Sequence, residues 1–335
     1  MKNILKYGIM AFTVGVAVTS CDDWTEPESV GVKFEDVTQK DPEGYAKYLE
    51  NLRAYRKNGH KKVYAWYDNK ASFSSQAHHV SAVPDSIDVL VLANPHLVSN
   101  ELKAEMEKKR SDTGMQMAYT VDYATIKKAW TSKQELATPE NPAPEWGAFL
   151  ADSLNIAYSY AGILGFDRII AAYDGKAFSM LPDDEQNAYK ADQAAFLNPL
   201  KSWVANNPGK GFDFIGIPAN IDGVAFLADA GVVFLSESLS ATNTTEFGYI
   251  IDRNKVEGVS ADKFAVMAAL PVLDANQASV GKWGDSYSSW KAAEWARGAD
   301  VCALGLTNLA DDYYDPNFTY KVCRTAIQIL NPAAK

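Results

Sequence analysis

Cysteine and histidine are scarce in this chain. Three cysteines, Cys21, Cys302 and Cys323, and four histidines occur in 335 residues. Three cysteines make neither a disulfide framework nor a zinc set. The histidines show no HExxH or other paired ligand spacing, so no metal site and no cofactor is implied. Basic charge is also in deficit, with 32 Lys and Arg against 42 Asp and Glu. That argues against a basic face for nucleic acid. No apolar run reaches the roughly 20 residues that a membrane-crossing helix needs, and no GxGxxG follows the first strand pattern, which removes the usual dinucleotide fingerprint. What is plentiful is apolar side chain, 47% of residues, enough for a large core.

The amino terminus reads as an export signal. Lys2 and Lys6 form a positive region, Ile9 to Val18 a short apolar run, and Val18-Thr19-Ser20-Cys21 a lipobox. This predicts a signal peptide over 1–20, removed to leave Cys21 as a lipidated amino terminus that anchors the chain to a membrane; an ordinary secretory signal with an incidental cysteine is the alternative. Loss of 1–20 removes two lysines and no acid, so the mature chain carries 30 basic and 42 acidic residues, a net charge of about −12. Residues 21–40 are polar and acidic without periodicity and read as a flexible tether. Of the two remaining cysteines, Cys302 and Cys323, the expectation is two buried thiols, with a single bridge as the alternative.

Beyond the tether, Asp41-Pro42 opens a leading helix over 41–58, with Tyr45, Tyr48, Leu49, Leu52 and Tyr55 on one face. Eight strand patterns follow, at 61–67, 87–95, 115–122, 166–174, 212–220, 231–238, 263–271 and 301–308. Several are nearly continuous apolar runs, as in parallel strands buried on both faces. Helical patterns lie between them at 98–110, 146–162, 183–206, 222–230, 286–297 and 319–330, with 242–258 less regular. Eight strand–helix alternations predict a single-domain α/β fold, the (β/α)8 TIM barrel, over 41–332. A doubly wound open sheet is the alternative.

In such a barrel, chemistry sits where the strands end. The strand ends supply Trp66 and Asp68, Asn94, Asp122 and Tyr123, Tyr173 and Asp174, Asn220, Ser236 and Glu237, then Trp283 and Tyr313 from the last two loops. Aromatics and amides dominate, without a basic cluster. That composition suits a neutral, hydroxyl-rich ligand, whose rings stack on aromatic faces and whose hydroxyls pair with carboxylates and amides. Trp290 and Trp295 fall inside a helical pattern and read as core.

Two stretches carry a resemblance. LRAYRKNGHKKVYAWYDN (52–69) and ADDYYDPNFTYKVCRTAIQILNP (310–332) resemble Bacteroidetes surface lipoproteins related to glycoside hydrolase family 18, which include endo-β-N-acetylglucosaminidases that cut the chitobiose core of N-glycans. The likeness spans 41–332. The acidic pair Asp22-Asp23 after the lipobox resembles the surface-export signal of such lipoproteins and implies the exterior face of the outer membrane. The family's catalytic signature, DGxDxDxE at the end of strand 4, aligns with DRIIAAYD, Asp167 to Asp174. Asp167 is kept, Arg168 replaces the glycine, Ile170 and Ala172 replace the two inner aspartates, and Asp174 replaces the acid glutamate.

The resemblance implies a substrate-assisted mechanism, an exception to the usual carboxylate pair. The glutamate protonates the leaving oxygen, and the aspartate two residues earlier, on the same side of the strand, orients the attacking acetamide. Ala172 has no group for that task. Asp174 is one methylene short, and a misplacement of about 1 Å costs on the order of 100-fold. Losing the charge stabiliser costs about 10²-fold again. After strand 6, FLSES lacks the tyrosine the family usually supplies. The leading expectation is therefore a non-catalytic glycan-binding lipoprotein for N-glycans or N-glycoproteins, with an outer-membrane glycan importer and a sister glycosidase as partners implied by the resemblance. The alternatives are a weak or altered hydrolase using Asp174, with Glu237 or Asp122 as second carboxylate, and a structural lipoprotein with a vestigial cleft.

Overall fold

A computed structural model of the chain describes residues 41–332. The expected signal peptide, the tether and Cys21 lie outside the described residues. The barrel lies within the compact unit that begins at Ala46. Helix α1 spans Pro42–Lys57.

Eight parallel strands close into a barrel: β1 (Lys62–Tyr67), β2 (Val89–Leu92), β3 (Gln116–Asp122), β4 (Arg168–Tyr173), β5 (Gly211–Gly216), β6 (Val233–Leu235), β7 (Phe264–Ala269) and, after a short hairpin β8–β9 (Lys282–Trp283 and Ser286–Tyr287), β10 (Ala303–Thr307). Strands β1 and β10 pair and complete the ring, which decides for the barrel over the open sheet. Around it run α2 (Asn100–Thr113), α3 (Tyr123–Glu135), α4 (Trp146–Ile163), α5 (Asp183–Asn206), α6 (Thr244–Asn254), α7 (Ser288–Gly298) and α8 (Lys321–Leu330). Sequence and structure agree within a few residues for most elements. Two differ. Residues 222–230 form a 3-10 turn at Val224–Asp229, and α3 falls in a stretch not assigned from the sequence. That helix buries none of its residues fully, so it carries no apolar stripe to read.

The period-two alternation of the strands makes two cores. Tyr64, Val91, Ala118, Ile170, Phe234 and Met267 fill the barrel interior. Their neighbours on the same strands, among them Val63, Leu90, Ile169, Ala171 and Tyr173, face the helices. A fully buried Ile or Phe contributes ~1.5–3 kcal/mol, so both layers add to stability. Trp290 and Trp295 pack in the outer layer, where the Trp290 indole donates to the Val322 carbonyl at 3.0 Å.

The amino-terminal end of the barrel is closed by a buried charge pair. Arg168, on β4, donates from Nε and Nη2 to the two carboxylate oxygens of Asp213 on β5, each at 2.6 Å. The Tyr64 hydroxyl and the Val232 amide donate to the same carboxylate. Asp213 is 0% exposed, so all of these bonds lie out of water. The guanidinium fits because glycines flank it. A Cβ on Gly231 would lie 2.6 Å from Arg168 Nη2, and one on Gly211 would also overlap the guanidinium.

Candidate functional site

Strand β4 sets the site. Its inward phase carries Arg168, Ile170 and Ala172. Residue 174 continues that phase into the mouth. Asp174 is exposed there, and its Oδ1 accepts a bond from the Ser236 hydroxyl at 2.5 Å. The Asn220 side-chain amide donates to the Asp174 carbonyl at 3.0 Å. Asp174, Ser236 and Asn220, from the ends of three successive strands, thus form one side of the mouth.

Trp66 on β1 and Asp122 on β3 continue the rim. Trp66 packs edge-on against Phe234, with ring centres 5.3 Å apart, and its indole N–H donates to Thr120 Oγ1 at 3.3 Å. Asp122 pairs with Ala172 in the strand register. Its carboxylate is engaged elsewhere. It caps α3, accepting from the Ala124 amide at 2.7 Å and the Thr125 hydroxyl at 3.1 Å. Withdrawing such a cap costs about 1 kcal/mol. Asn94 donates to Asp68 Oδ1 at 2.8 Å and is held through its backbone by the buried Asn69. Three carboxylates, those of Asp68, Asp122 and Asp174, therefore ring the opening.

Other residues taken from the sequence as rim groups stand elsewhere. Tyr173, 4% exposed, occupies the outward phase of β4 and stacks on Phe196. Its hydroxyl meets Tyr189 at 3.1 Å, and burial pushes the phenol upward. Tyr123 packs against Tyr173, Trp146 and Phe196 and donates to Asp192. The phase explains both: if residues 170 and 172 face the axis, residue 173 cannot. Glu237 accepts from Arg253 and from the buried Asn254, so its carboxylate is held by α6. Trp283 and Tyr313 join the outer core, Trp283 beside Phe247 and Tyr313 against Tyr320. Asp167 lies at the base of the barrel, bonded to the Met117 amide and to Arg110 Nε.

Thr120 was not picked out from the sequence. Its signal was present, because it lies two residues before Asp122 on the same face. Arg253 had no such signal, since it reaches Glu237 from a helix 16 residues on. Among the described residues no group of His, Cys, Asp and Glu is arranged to hold a metal ion.

The barrel with a strand-4 signature at its mouth can be compared with known proteins. Residues 25–329 match glycoside hydrolase family 18, BT1044-like. The chain belongs to that family. No curated protein matches it. Among solved structures, a glutamate-to-glutamine variant of BT1044 superposes with a TM-score of 0.55 at 15% identity, over 87% of this chain and 94% of that one. A family 18 chitinase from Pseudoalteromonas aurantia gives 0.52 at 15% identity, over 80% and 100%. YKL-39, solved in the presence of chitooligosaccharides, gives 0.50 at 9% identity, over 81% and 100%. At such identities these likenesses establish a shared fold. Within this glycoside-hydrolase-related family, the present chain reads DRIIAAYD over 167–174, with Asp174 as the carboxylate at the mouth end of β4.

Proposed function

We propose that this protein is a non-catalytic glycan-binding lipoprotein, held by lipid on Cys21 at the outer face of the outer membrane, which captures N-glycans or N-glycoproteins for uptake. One observation carries the reading. The inward face of β4 presents Ile170 and Ala172 below Asp174, so no carboxylate stands ready to orient an acetamide, and the neighbouring Asp122 is committed to capping α3. The mouth keeps an indole, three carboxylates and two amides, the groups that recognise a hydroxyl-rich ligand. An outer-membrane glycan importer and a sister glycosidase fit as partners of a tethered capture protein. Calorimetric titration with N-glycans and N-glycoproteins tests the reading: saturable binding without cleavage supports it, and no heat with any glycan rejects it. Labelling with a palmitate analogue, lost in Cys21→Ala, tests the anchor.

A second reading rests on the exposure of Asp174. A carboxylate does stand at the acid position, and a weak hydrolase built on it predicts slow product. Mass spectrometry after long incubation with an N-glycoprotein decides: product that vanishes in Asp174→Asn supports hydrolysis. The second carboxylates open to such an enzyme, Asp122 and Glu237, are each bonded within the fold.

A further inference from the structure

Two cavities flank the segment that links β6 to α6. One, of about 480 Å³, is lined by Glu237, Tyr249 and Arg253; the other, of about 370 Å³, by Lys282 and Trp283. Ala241 lines both, so the pair, the off-axis trough, meets at this residue. We infer that this off-axis trough extends the mouth as an oligosaccharide-holding site, with a pyranose ring on Trp283 and hydroxyls of a second sugar on the Glu237–Arg253 pair. The inference rests on the glycan-binding reading above and gives it a location.

Three observations point there. First, the mouth alone is short of uncommitted groups: the Trp66 N–H is bonded to Thr120 and the Asp122 carboxylate to α3, which leaves the exposed Asp68 and Asp174 as its open carboxylates. Second, the trough is preorganised. Arg253 reaches Glu237 at 2.6 Å through Nη2 and at 3.1 Å through Nε, which leaves guanidinium N–H groups for a ligand. Arg253 is 56% exposed at its side chain, and Asn254 fixes Glu237 from behind. Trp283 is braced by Phe247 on a short hairpin. Groups already held lose little freedom on binding. Third, the charge balances. Glu237 and Glu246 share the first cavity with Arg253, and Lys282 lines the second, a balance that fits a neutral ligand better than an anion or an acidic peptide. Tyr249, 69% exposed, adds an aromatic wall at the far end.

Calorimetry with chitotetraose and with an oligosaccharide released from an N-glycoprotein tests this in the full chain. Trp283→Ala should weaken binding roughly tenfold, as loss of a stacked ring does. Arg253→Gln, an exposed change that leaves the core untouched, should weaken it several-fold, with the melting curve unchanged. If the wild type binds and both variants match it within about twofold, the off-axis site is wrong while the glycan reading stands. If the wild type binds neither sugar, the glycan reading itself falls and takes the site with it.

Discussion

The two ends of the barrel are built on different terms. At the base, Asp213 is sealed from water and bonded on every side, and Arg168, largely buried, closes over it. At the mouth, Asp174 has one side-chain partner, Ser236, and faces solvent. A single strand supplies both ends, six residues apart, or about 20 Å along β4. The difference separates fold from site. Arg168 belongs to the stabilising base, while the inward positions above it, Ile170 and Ala172, carry no charge.

The largest expected effect comes from breaking the base. Asp213→Ala leaves Arg168 buried and unpaired, and should destabilise the fold by ~3–5 kcal/mol in denaturant titration. Asp174→Ala at the mouth should change stability by no more than about 0.5 kcal/mol. Equal losses in the two variants would erase the contrast.

The next effect is on pH dependence, again from opposite ends. Asp312, in the loop after β10, caps α8 through the Val322 and Cys323 amides, and burial pushes its carboxyl up to about 6. The native state therefore holds a proton that the unfolded chain, at about 3.9, gives up. Stability should fall as pH rises from about 4 to 6, by up to about 3 kcal/mol, and this slope should flatten in Asp312→Asn. At the base, the bond from His60 to Asp88, 3.0 Å, raises the imidazole pKa. Its contribution is present below the unfolded value of about 6.5 and lost as pH rises through the higher folded value. His60→Gln should remove that second, higher window alone, as read by melting temperature against pH.

The smallest effect is chemical. Cys302 and Cys323 are unpaired, and burial pushes the Cys302 thiol up to about 11 and the Cys323 thiol higher still. Both should label slowly with a thiol reagent until the chain unfolds.

These contrasts also mark what the sequence could tell. The strands were legible because stretches such as Val89–Leu92 are apolar throughout and buried on both faces. Helix α3 was not, because its Lys-rich stretch packs no residue fully away from solvent. Positions at the mouth followed from strand ends, but orientation followed from phase. Tyr173 sits between two inward positions and so turns to the helices, and Tyr123 goes with it. The Arg168–Asp213 pair links two strands 45 residues apart, and nothing local announces it. The Gly211 and Gly231 positions that make room for the guanidinium acquire meaning only once the strands are side by side.

Native mass spectrometry of the chain incubated with a defined N-glycopeptide tests the central claim most directly, since it weighs capture and cleavage in one spectrum. The account predicts a complex at the summed mass of chain and intact glycopeptide, with the glycopeptide unchanged after prolonged incubation. Released oligosaccharide with a residual N-acetylglucosaminyl peptide, or only unliganded chain, would contradict it.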